Sequence, residues 1–519
     1  MFDNDARYKY LILPLYSVGL RYLGGYTKKY SDVRYLTSSY FISKFPCLTK
    51  EIEIEIPMDL DLELREFNFE GYNIEKKISE NTKKQIRTIL YSISKVNGVA
   101  SEINTPNLSK VYPHIVFVAK SFKDRHENKV QIFENTKDIY NWYKLLVAKI
   151  KDNDLDLQTV ANSLTRGKTS DIEKIKSIYY WVQDNIKYIA FERGIAGFQP
   201  EAASLVYKNK FGDCKGMANL LATLLKLAGF DARLTWIGTT DNNYNYSLPS
   251  IIVDNHMICA LKLNGKYFFL DGTEKYIAFD DYAQRIQGRQ ALIEDGDNFI
   301  IESLPLLPIE RNKYTENKII TIEGNNLKAS VSETFKGENQ TNFLRAINDV
   351  PVNKQDKILT KFLSKDNKNF EIVNISEKIF ERRESPIIFN YEVIISNNLT
   401  KYDKEVYLSI DFANDLEELI TDEKRKNAIE VEENIFREYF TELEIPEGYV
   451  LKQLPNNLDI SADHYSFDVK YTTDGKKVRL NKKILMKAHI QEYKNLTKWN
   501  LDLKRLKETN NEQIILQKL

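Results

Sequence analysis

Residues 255–273 read NHMICALKLNGKYFFLDGT, with Asn264-Gly265 between two apolar runs. An Asn-Gly pair in this setting is the strongest short signal for a two-residue β-hairpin turn, and such a turn fixes the register of its strands. In that register His256 and Asp271 lie on the same face as diagonal neighbours, about 7–8 Å apart and within side-chain reach. The predicted pairs are Leu263 with Lys266, Ala260 with Phe269, Ile258 with Asp271, and His256 with Thr273.

The hairpin therefore predicts a histidine beside a carboxylate. A carboxylate in this position accepts the imidazole N–H, fixes its tautomer and stabilises the imidazolium. Cys259 falls on the opposite face with apolar neighbours, so we interpret it as a core residue. Cys47 follows Phe45-Pro46 with no histidine or aspartate partner in view, and we interpret it as structural too.

Residues 211–217 read FGDCKGM and predict the start of a helix. Asp213 is a favourable N-cap residue, and an apolar stripe follows it at helical spacing. Cys214 then lies in the first turn, where free N–H groups and a partial positive charge favour a thiolate and bind a developing oxyanion. The stripe consists of Met217, Leu220, Leu221, Leu224 and Leu225.

Together, Cys214, His256 and Asp271 supply the nucleophile, the base and the orienting group that covalent catalysis requires. Each has a simpler explanation by itself: a cysteine that fills space at a helix start, or a His–Asp pair on a protein surface. Glycine, aspartate and lysine flank Cys214, whereas core cysteines usually have apolar neighbours. The combination therefore favours catalysis.

The bulk composition excludes several classes of protein. A length of 519 residues predicts two to four domains. Lys plus Arg and Asp plus Glu both total 74, and this balance disfavours a nucleic acid as the main partner. Three cysteines and five scattered histidines predict neither a disulfide framework nor a zinc site, and we expect no metal and no cofactor.

The hydropathy pattern predicts an α+β protein with three regions. Residues 1–130 are β-rich, 131–303 form a central α/β domain with N-terminal helices and an antiparallel sheet, and 309–519 are β-rich again with one helical insert. Leu304-Pro305-Leu306-Leu307-Pro308 is the predicted linker, since proline interrupts both helix and strand. We expect the two flanking regions to be β-sandwich-like.

Particular segments support this division. Residues 51–56 alternate with period two, as expected for a strand with one buried face. Ser170-Asp171-Ile172-Glu173 has the form of a capping box before a helix. The other predicted strands lie in 22–42, 87–93, 115–118, 319–322, 328–335, 372–380, 387–395 and 465–471, and the other predicted helices are 135–150 and the insert 343–363.

The chain resembles the transglutaminase-like superfamily, whose fold is related to papain, over about residues 170–300. Gly212-Asp213-Cys214-Lys215, Asn255-His256 and Phe269-Leu270-Asp271-Gly272-Thr273 carry the resemblance. The flanks and the stretch 188–200 resemble bacterial members with a β-rich DUF3857 domain on the N-terminal side. This likeness implies an N-terminal sandwich that is incomplete at Met1.

Two positions depart from the family pattern. The family leads us to expect a proline after the aspartate, where this chain has Gly272. Papain-like enzymes complete the oxyanion hole with a glutamine shortly before the cysteine. Gln199 is the nearby candidate here, although it stands 15 residues before Cys214.

These features predict cysteine-dependent acyl transfer on an amide, with a peptide or protein as substrate. Hydrolysis by a protease or amidase is favoured over cross-linking, because water is always present whereas an amine requires a second site. The alternatives are a catalytically inactive scaffold or binding protein and, more distantly, a polysaccharide-associated or surface-assembly module. The sequence has neither a signal peptide nor a transmembrane segment. It therefore predicts a cytoplasmic protein, or a periplasmic or secreted one if the native N-terminus is longer.

Overall fold

A computed structural model describes residues 17, 19–99, 102–151, 154–190, 194–376, 383–422 and 424–519. It confirms the α+β class, with a helix-and-sheet centre between two β-rich regions. Within these residues, every helix is too short or too polar to cross a lipid bilayer.

The N-terminal region consists of two antiparallel sheets, with strand orders β1-β6-β3 and β2-β5-β4, and β7 pairs with β6. The alternation predicted for residues 51–56 is confirmed, since the glutamates of β2 are exposed and Ile56 is buried. The stretch 22–42 is mostly irregular and contains only one short strand. The elements are β1 (Ser38–Tyr40), β2 (Cys47–Pro57), β3 (Leu60–Phe67), β4 (Ile74–Asn81), β5 (Ile86–Val96), α1 (Leu108–Val111), β6 (His114–Lys123) and β7 (Lys129–Gln131).

Helices open the central region. The capping box predicted at Ser170 is present, since the Ser170 hydroxyl accepts from Glu173 N and the Glu173 carboxylate accepts from Ser170 N. A helix over residues 154–165 was not predicted, because its sequence is largely polar and its apolar stripe is weak. The elements are α2 (Thr136–Val147), α3 (Asp154–Thr165), α4 (Asp171–Asn185), β8 (Lys187–Tyr188), α5 (Ala203–Asn209), β9 (Phe211–Gly212) and α6 (Cys214–Leu227).

An antiparallel sheet with strand order β12-β11-β10-β13-β14 completes this region. The predicted hairpin register is confirmed over its regular part, where Leu263 pairs with Lys266 and Ala260 with Phe269. The buried face of α6 packs on β10 and β11, and its leucines share one core with Cys259 and Leu270. The strands are β10 (Asp231–Ile237), β11 (His256–Leu263), β12 (Lys266–Leu270), β13 (Gln290–Asp295) and β14 (Asn298–Ser303).

The C-terminal region is built on an eight-stranded sheet with the order β17-β18-β16-β15-β22-β26-β25-β24. The pair β15–β22 is parallel, and the other neighbours are antiparallel. A second sheet has the order β19-β20-β28-β23, and β21 pairs with β27.

Its elements are β15 (Lys313–Glu323), β16 (Asn326–Phe335), α7 (Glu338–Asn348), α8 (Val352–Leu363), β17 (Phe370–Ile375), β18 (Ile387–Ile395), β19 (Leu399–Tyr402), β20 (Glu405–Leu408), β21 (Ile429–Val431), β22 (Ile435–Glu444), β23 (Tyr449–Gln453), β24 (Leu458–Ser461), β25 (Tyr465–Thr473), β26 (Lys477–Met486), β27 (His489–Gln491), α9 (Leu496–Asn510) and β28 (Ile514–Lys518).

Several details of this region differ from the prediction, and the strands β22 and β26 at the centre of its sheet were not predicted individually. The insert 343–363 is two helices rather than one, because Pro351 ends the first and is the N-cap of the second. The helix α9 was not predicted at all. Of the strand predicted over 372–380, residues 377–380 lie outside the described residues, and β17 ends at Ile375.

Candidate active site

Cys214 is the first residue of α6. The Asp213 Oδ1 atom caps this helix by accepting a hydrogen bond of 2.9 Å from Gly216 N. The other oxygen of Asp213 forms an ion pair with Lys215, so the carboxylate is held from two sides. The Cys214 side chain is nearly buried, with 5% of its surface exposed.

Two glycines allow α5 to approach the start of α6. A Cβ atom on Gly212 would lie 3.1 Å from Val206 Cγ1, and one on Gly216 would lie 3.0 Å from Val206 Cγ2. Such distances are shorter than ordinary carbon–carbon contacts, so a side chain at either position would push the two helices apart. The glycines that flank Cys214 therefore set the position of its helix.

His256 begins β11, opposite Ile237 of β10. The preceding residue, Asn255, anchors this strand end, because its Oδ1 accepts from Thr239 N at 2.8 Å and its Nδ2 donates to Thr239 Oγ1 at 3.0 Å. The imidazole Nε2 lies 2.8 Å from Asp271 Oδ2, and Cys214 is close enough to the same imidazole to help raise its pKa. Since Nε2 is directed at Asp271, Nδ1 is the ring nitrogen that remains for another partner.

Asp271 follows directly after β12, and hydrogen bonds hold both its side chain and its backbone. Its Oδ1 accepts from Thr273 N at 3.0 Å and from Thr273 Oγ1 at 2.7 Å. Its backbone oxygen accepts from the Tyr179 hydroxyl of α4 at 3.2 Å. The next residue is Gly272, where a Cβ would lie 3.3 Å from Val182 Cγ1, also in α4. The close approach of α4 accounts for a glycine at the position where proline was expected.

The charges of this pair reinforce one another. Burial lowers the pKa of His256, but the charge and hydrogen bond of Asp271, together with Cys214, outweigh burial and raise the pKa to about 9. Burial raises the pKa of Asp271, but His256, Arg285 and Thr273 outweigh it and hold the pKa below its usual range. Both shifts favour an imidazolium beside a carboxylate at neutral pH.

The other cysteines differ from Cys214 in their surroundings. Cys259 is fully buried in the core, and burial raises the pKa of its thiol to about 12. Cys47 is half-buried near the surface, where its thiol contacts Thr49 O at 2.9 Å.

Gln199 is half-buried between a 3₁₀ turn at Gly194–Gly197 and α5, and its backbone N–H donates to Ile195 O. Its oxyanion role stays a prediction. Residues 191–193 of the family-like stretch lie outside the described residues.

Arg285 was not predicted from the sequence. Its Nη2 lies 3.0 Å from Asp271 Oδ2 and 3.2 Å from His256 Nε2. Arg285 lies on a three-residue 3₁₀ turn, Gln284–Ile286, outside any periodic pattern or motif. No sequence signal brings this turn to the hairpin, because the contact arises only from the tertiary fold.

Among the described residues, no cluster of His, Cys, Asp and Glu side chains is arranged to hold a metal ion. A thiol and a carboxylate that both act on one imidazole can favour a thiolate–imidazolium pair, which is the resting state of many cysteine nucleophiles.

Comparisons with known proteins find a family model that covers these residues. The model of the transglutaminase-like superfamily matches residues 158–272, which include Cys214, His256 and Asp271. A second model, for a domain of unknown function called DUF3858, matches residues 404–516. That match lies in the C-terminal region, so the DUF3857 domain expected at the N-terminus stays a prediction. No curated protein matches the chain significantly.

Two solved structures resemble the chain. One is a candidate protease from Parabacteroides distasonis, with 12% identity and a TM-score of 0.57 over 93% of this chain and 74% of that one. The other is a candidate cysteine protease from Cytophaga hutchinsonii, with 15% identity and a TM-score of 0.22 over 46% of this chain and 74% of that one. The first likeness supports the overall fold. The chain thus contains a transglutaminase-like superfamily domain with a papain-like fold, flanked by β-rich regions.

Proposed function

We propose that this protein is an enzyme that cleaves amide bonds through a covalent acyl–cysteine intermediate, with Cys214, His256 and Asp271 as its catalytic triad. The observation that carries the proposal is the buried hydrogen bond between His256 and Asp271, with the Cys214 thiol beside the same imidazole and helping to raise its pKa. The transglutaminase-like domain that includes all three residues supports the same class of chemistry.

The first half of the reaction forms a thioester. His256 takes the proton of Cys214, and the thiolate attacks the carbonyl carbon of a peptide or side-chain amide. Backbone N–H groups in the first turn of α6 stabilise the oxyanion. The imidazolium then gives its proton to the leaving nitrogen, so the C–N bond breaks and an amine departs.

The second half returns the enzyme to its starting state. His256 takes a proton from a water molecule, and the resulting hydroxide attacks the thioester carbonyl. The C–S bond breaks, the carboxylic acid leaves, and the proton on the imidazole returns to the sulfur. We favour water over an amine as the acceptor, because an amine requires a binding site of its own.

A catalytically inactive scaffold is the competing proposal. Cys214 and His256 are 5% and 8% exposed, so little of either side chain is open to a substrate. The two proposals differ in one measurable property, namely turnover that depends on the Cys214 thiol.

The experiment incubates the protein with unfolded casein, with and without a fluorescent primary amine. We expect new peptide termini or released ammonia in the absence of the amine, and their loss in Cys214→Ser. Cys47→Ser is the matched control, because it removes a thiol outside the site and leaves turnover unchanged. Incorporation of the amine faster than hydrolysis would identify a cross-linking enzyme instead. Equal signals from the wild type and Cys214→Ser would support the scaffold.

A further inference from the structure

Arg285 shares the Asp271 carboxylate with His256. The Arg285 Nη2 atom donates to Asp271 Oδ2 at 3.0 Å, and His256 Nε2 donates to the same oxygen at 2.8 Å. The two donor nitrogens are 3.2 Å apart. Since one oxygen serves a guanidinium and an imidazole at once, each cation reduces the charge that the other experiences.

A chain of ion pairs holds Arg285 in this position. Its Nε donates to Glu274 Oε1 at 2.7 Å, and the second oxygen of Glu274 accepts from Arg345 Nη2 at 3.1 Å. Arg345 belongs to α7, in the C-terminal region. Glu274 is mostly buried, which makes both pairs stronger than exposed ones.

The backbone beside Arg285 is attached to the C-terminal region as well. Gln284 N donates to Glu338 Oε1 at 3.0 Å, and Gln284 Oε1 accepts from Asn434 N at 2.6 Å. Glu338 is the first residue of α7, the helix that also carries Arg345. The turn Gln284–Ile286 therefore contacts α7 on one side and the His256–Asp271 pair on the other.

We propose that Arg285 is a positioning residue that holds Asp271 and shares its charge with His256, and that α7 fixes Arg285 through Glu274. This inference rests on the proposed acyl-transfer function. By sharing the carboxylate, Arg285 limits how strongly the imidazolium is stabilised. The imidazolium then remains acidic enough to protonate the leaving amine.

Among the residues that the structure describes, the charged and titratable groups beside His256 come from three elements. They are the Cys214 thiol at the start of α6, the Asp271 carboxylate after β12 and the Arg285 guanidinium on the turn. Removal of the guanidinium takes away a neighbouring cation and leaves the full charge of Asp271 to the imidazole. Both effects act in the same direction, so the pKa of His256 rises.

The test measures the protonation of His256 by NMR in protein labelled with ¹⁵N-histidine. The chain has five histidines, and the signals of His256 are those that disappear in His256→Ala. We expect Arg285→Gln to raise the midpoint of His256 by about one pH unit. Arg285→Lys should reverse part of that shift, because lysine restores the charge but cannot bridge Asp271 and Glu274.

Arg345→Gln should give a smaller shift of the His256 midpoint in the same direction. Without Arg345, the negative charge of Glu274 is no longer offset from that side, so Glu274 offsets more of the positive charge of Arg285. Arg311→Gln is the matched control, since Arg311 pairs with Asp280, at 3.0 Å, instead of Glu274. We expect this control to leave the His256 midpoint unchanged. Melting temperatures of all four variants separate a local change of charge from a loss of folding.

An unchanged or lowered midpoint in folded Arg285→Gln would overturn the role of Arg285. A midpoint in Arg345→Gln equal to that in Arg311→Gln would overturn the role of α7. Neither result depends on turnover. If the midpoints shift as expected but Cys214→Ser leaves turnover unchanged, the proposed function fails while the charge sharing stands.

Discussion

Cys214 and Cys47 differ in exposure and in chemical surroundings, and the two differences predict opposite orders of thiol reactivity. Cys47 is the more exposed, and its thiol donates to a backbone oxygen in its own strand. Cys214 is nearly buried but contacts an imidazole whose pKa is about 9. Exposure alone predicts faster alkylation of Cys47, whereas a thiolate–imidazolium pair predicts faster alkylation of Cys214.

We therefore expect limiting iodoacetamide at pH 6 to alkylate Cys214 at least about tenfold faster than Cys47 or Cys259. The ratio of Cys214 to Cys259 labelling should stay high up to pH 9, because burial raises the pKa of the Cys259 thiol to about 12. His256→Ala should slow labelling of Cys214, and Asp271→Asn should slow it less, since Asp271 only orients the imidazole. Mass spectrometry of the labelled peptides ranks the three sites. Equal labelling of Cys214 and Cys47 at pH 6, unaffected by His256→Ala, would contradict the triad.

The His256–Asp271 pair also links stability to pH. The pKa of His256 is raised from 6.5 to about 9, so its contribution is complete below pH 6.5 and is lost as the pH rises through 9. The pKa of Asp271 is lowered from 3.8, so its contribution is present above 3.8 and is lost as the pH falls. The pair thus stabilises the fold most between pH 3.8 and 6.5.

Asp271→Asn should accordingly lower the free energy of unfolding by about 2–3 kcal/mol at pH 6. The loss should be smaller at pH 10, where His256 is neutral in both proteins. Urea denaturation at the two pH values measures the difference. Asp280→Asn serves as the control, because Asp280 is exposed and its partner Arg311 stays charged throughout. An equal loss at pH 6 and pH 10 for Asp271→Asn would exclude the ion pair.

At the scale of helices and strands, the elements that could be predicted are those whose signal lies in their own stretch of sequence. The hairpin 256–270 follows from Asn264-Gly265, whose two residues both have positive φ, as this turn requires. Cys214, His256 and Asp271 could be proposed as a site because a helix start and a hairpin register both have local sequence signals. Arg285 could not, because its partners Asp271 and His256 stand 14 and 29 residues away in the sequence and no local pattern links them to it. The helix α9 was missed for a related reason, since it depends on burial of Trp499 in the C-terminal core.

The junction of α5 and α6 gives a prediction about an element. Gly216→Ala adds a methyl group 3.0 Å from Val206 Cγ2, which forces the two helices apart. We expect a loss of about 1–3 kcal/mol in the free energy of unfolding, even though alanine favours helix formation. We also expect slower alkylation of Cys214, because the start of α6 moves relative to His256.

The double variant Gly216→Ala with Val206→Ala tests the cause. Removal of the valine methyl groups makes room for the new one, so the two losses should be less than additive. Additive losses would show that the contact with Val206 is not the source of the effect.

At the scale of the whole molecule, the C-terminal region contacts both of the others. Its Glu430 N donates to Asn104 O at 2.8 Å, and its Asn427 contacts Tyr112, so it is attached to the N-terminal region. Its Arg383 forms an ion pair with Asp184 at the end of α4, in the central region. Unfolding of the C-terminal region would therefore disturb the candidate site, because α7 contacts Glu274 and the turn that carries Arg285.

The stability of that region depends on a buried cation. Lys482 lies on β26 with its side chain fully buried, and its Nζ is 2.9 Å from Asp411 Oδ2, Asp415 Oδ2 and Asn510 Oδ1. Burial lowers the pKa of Lys482, but the two aspartates outweigh burial and raise it. Removal of the lysine would leave two carboxylates in the core with one cation fewer, and Arg437 still pairs with Asp415.

Lys482→Met should therefore lower the free energy of unfolding by about 3–5 kcal/mol, because breaking a buried pair leaves an uncompensated charge. Lys483→Met is the matched control, since Lys483 is the next residue of the same strand and is exposed on its other face. Its cost should stay within about 0.5 kcal/mol. The urea midpoint followed by tryptophan fluorescence measures both variants. A Lys482→Met protein as stable as Lys483→Met would mean that the aspartates become protonated or hydrated at little cost. In that case the buried charges of this region would not be what stabilises the C-terminal core. They would then also not be what holds Arg285 in place through α7.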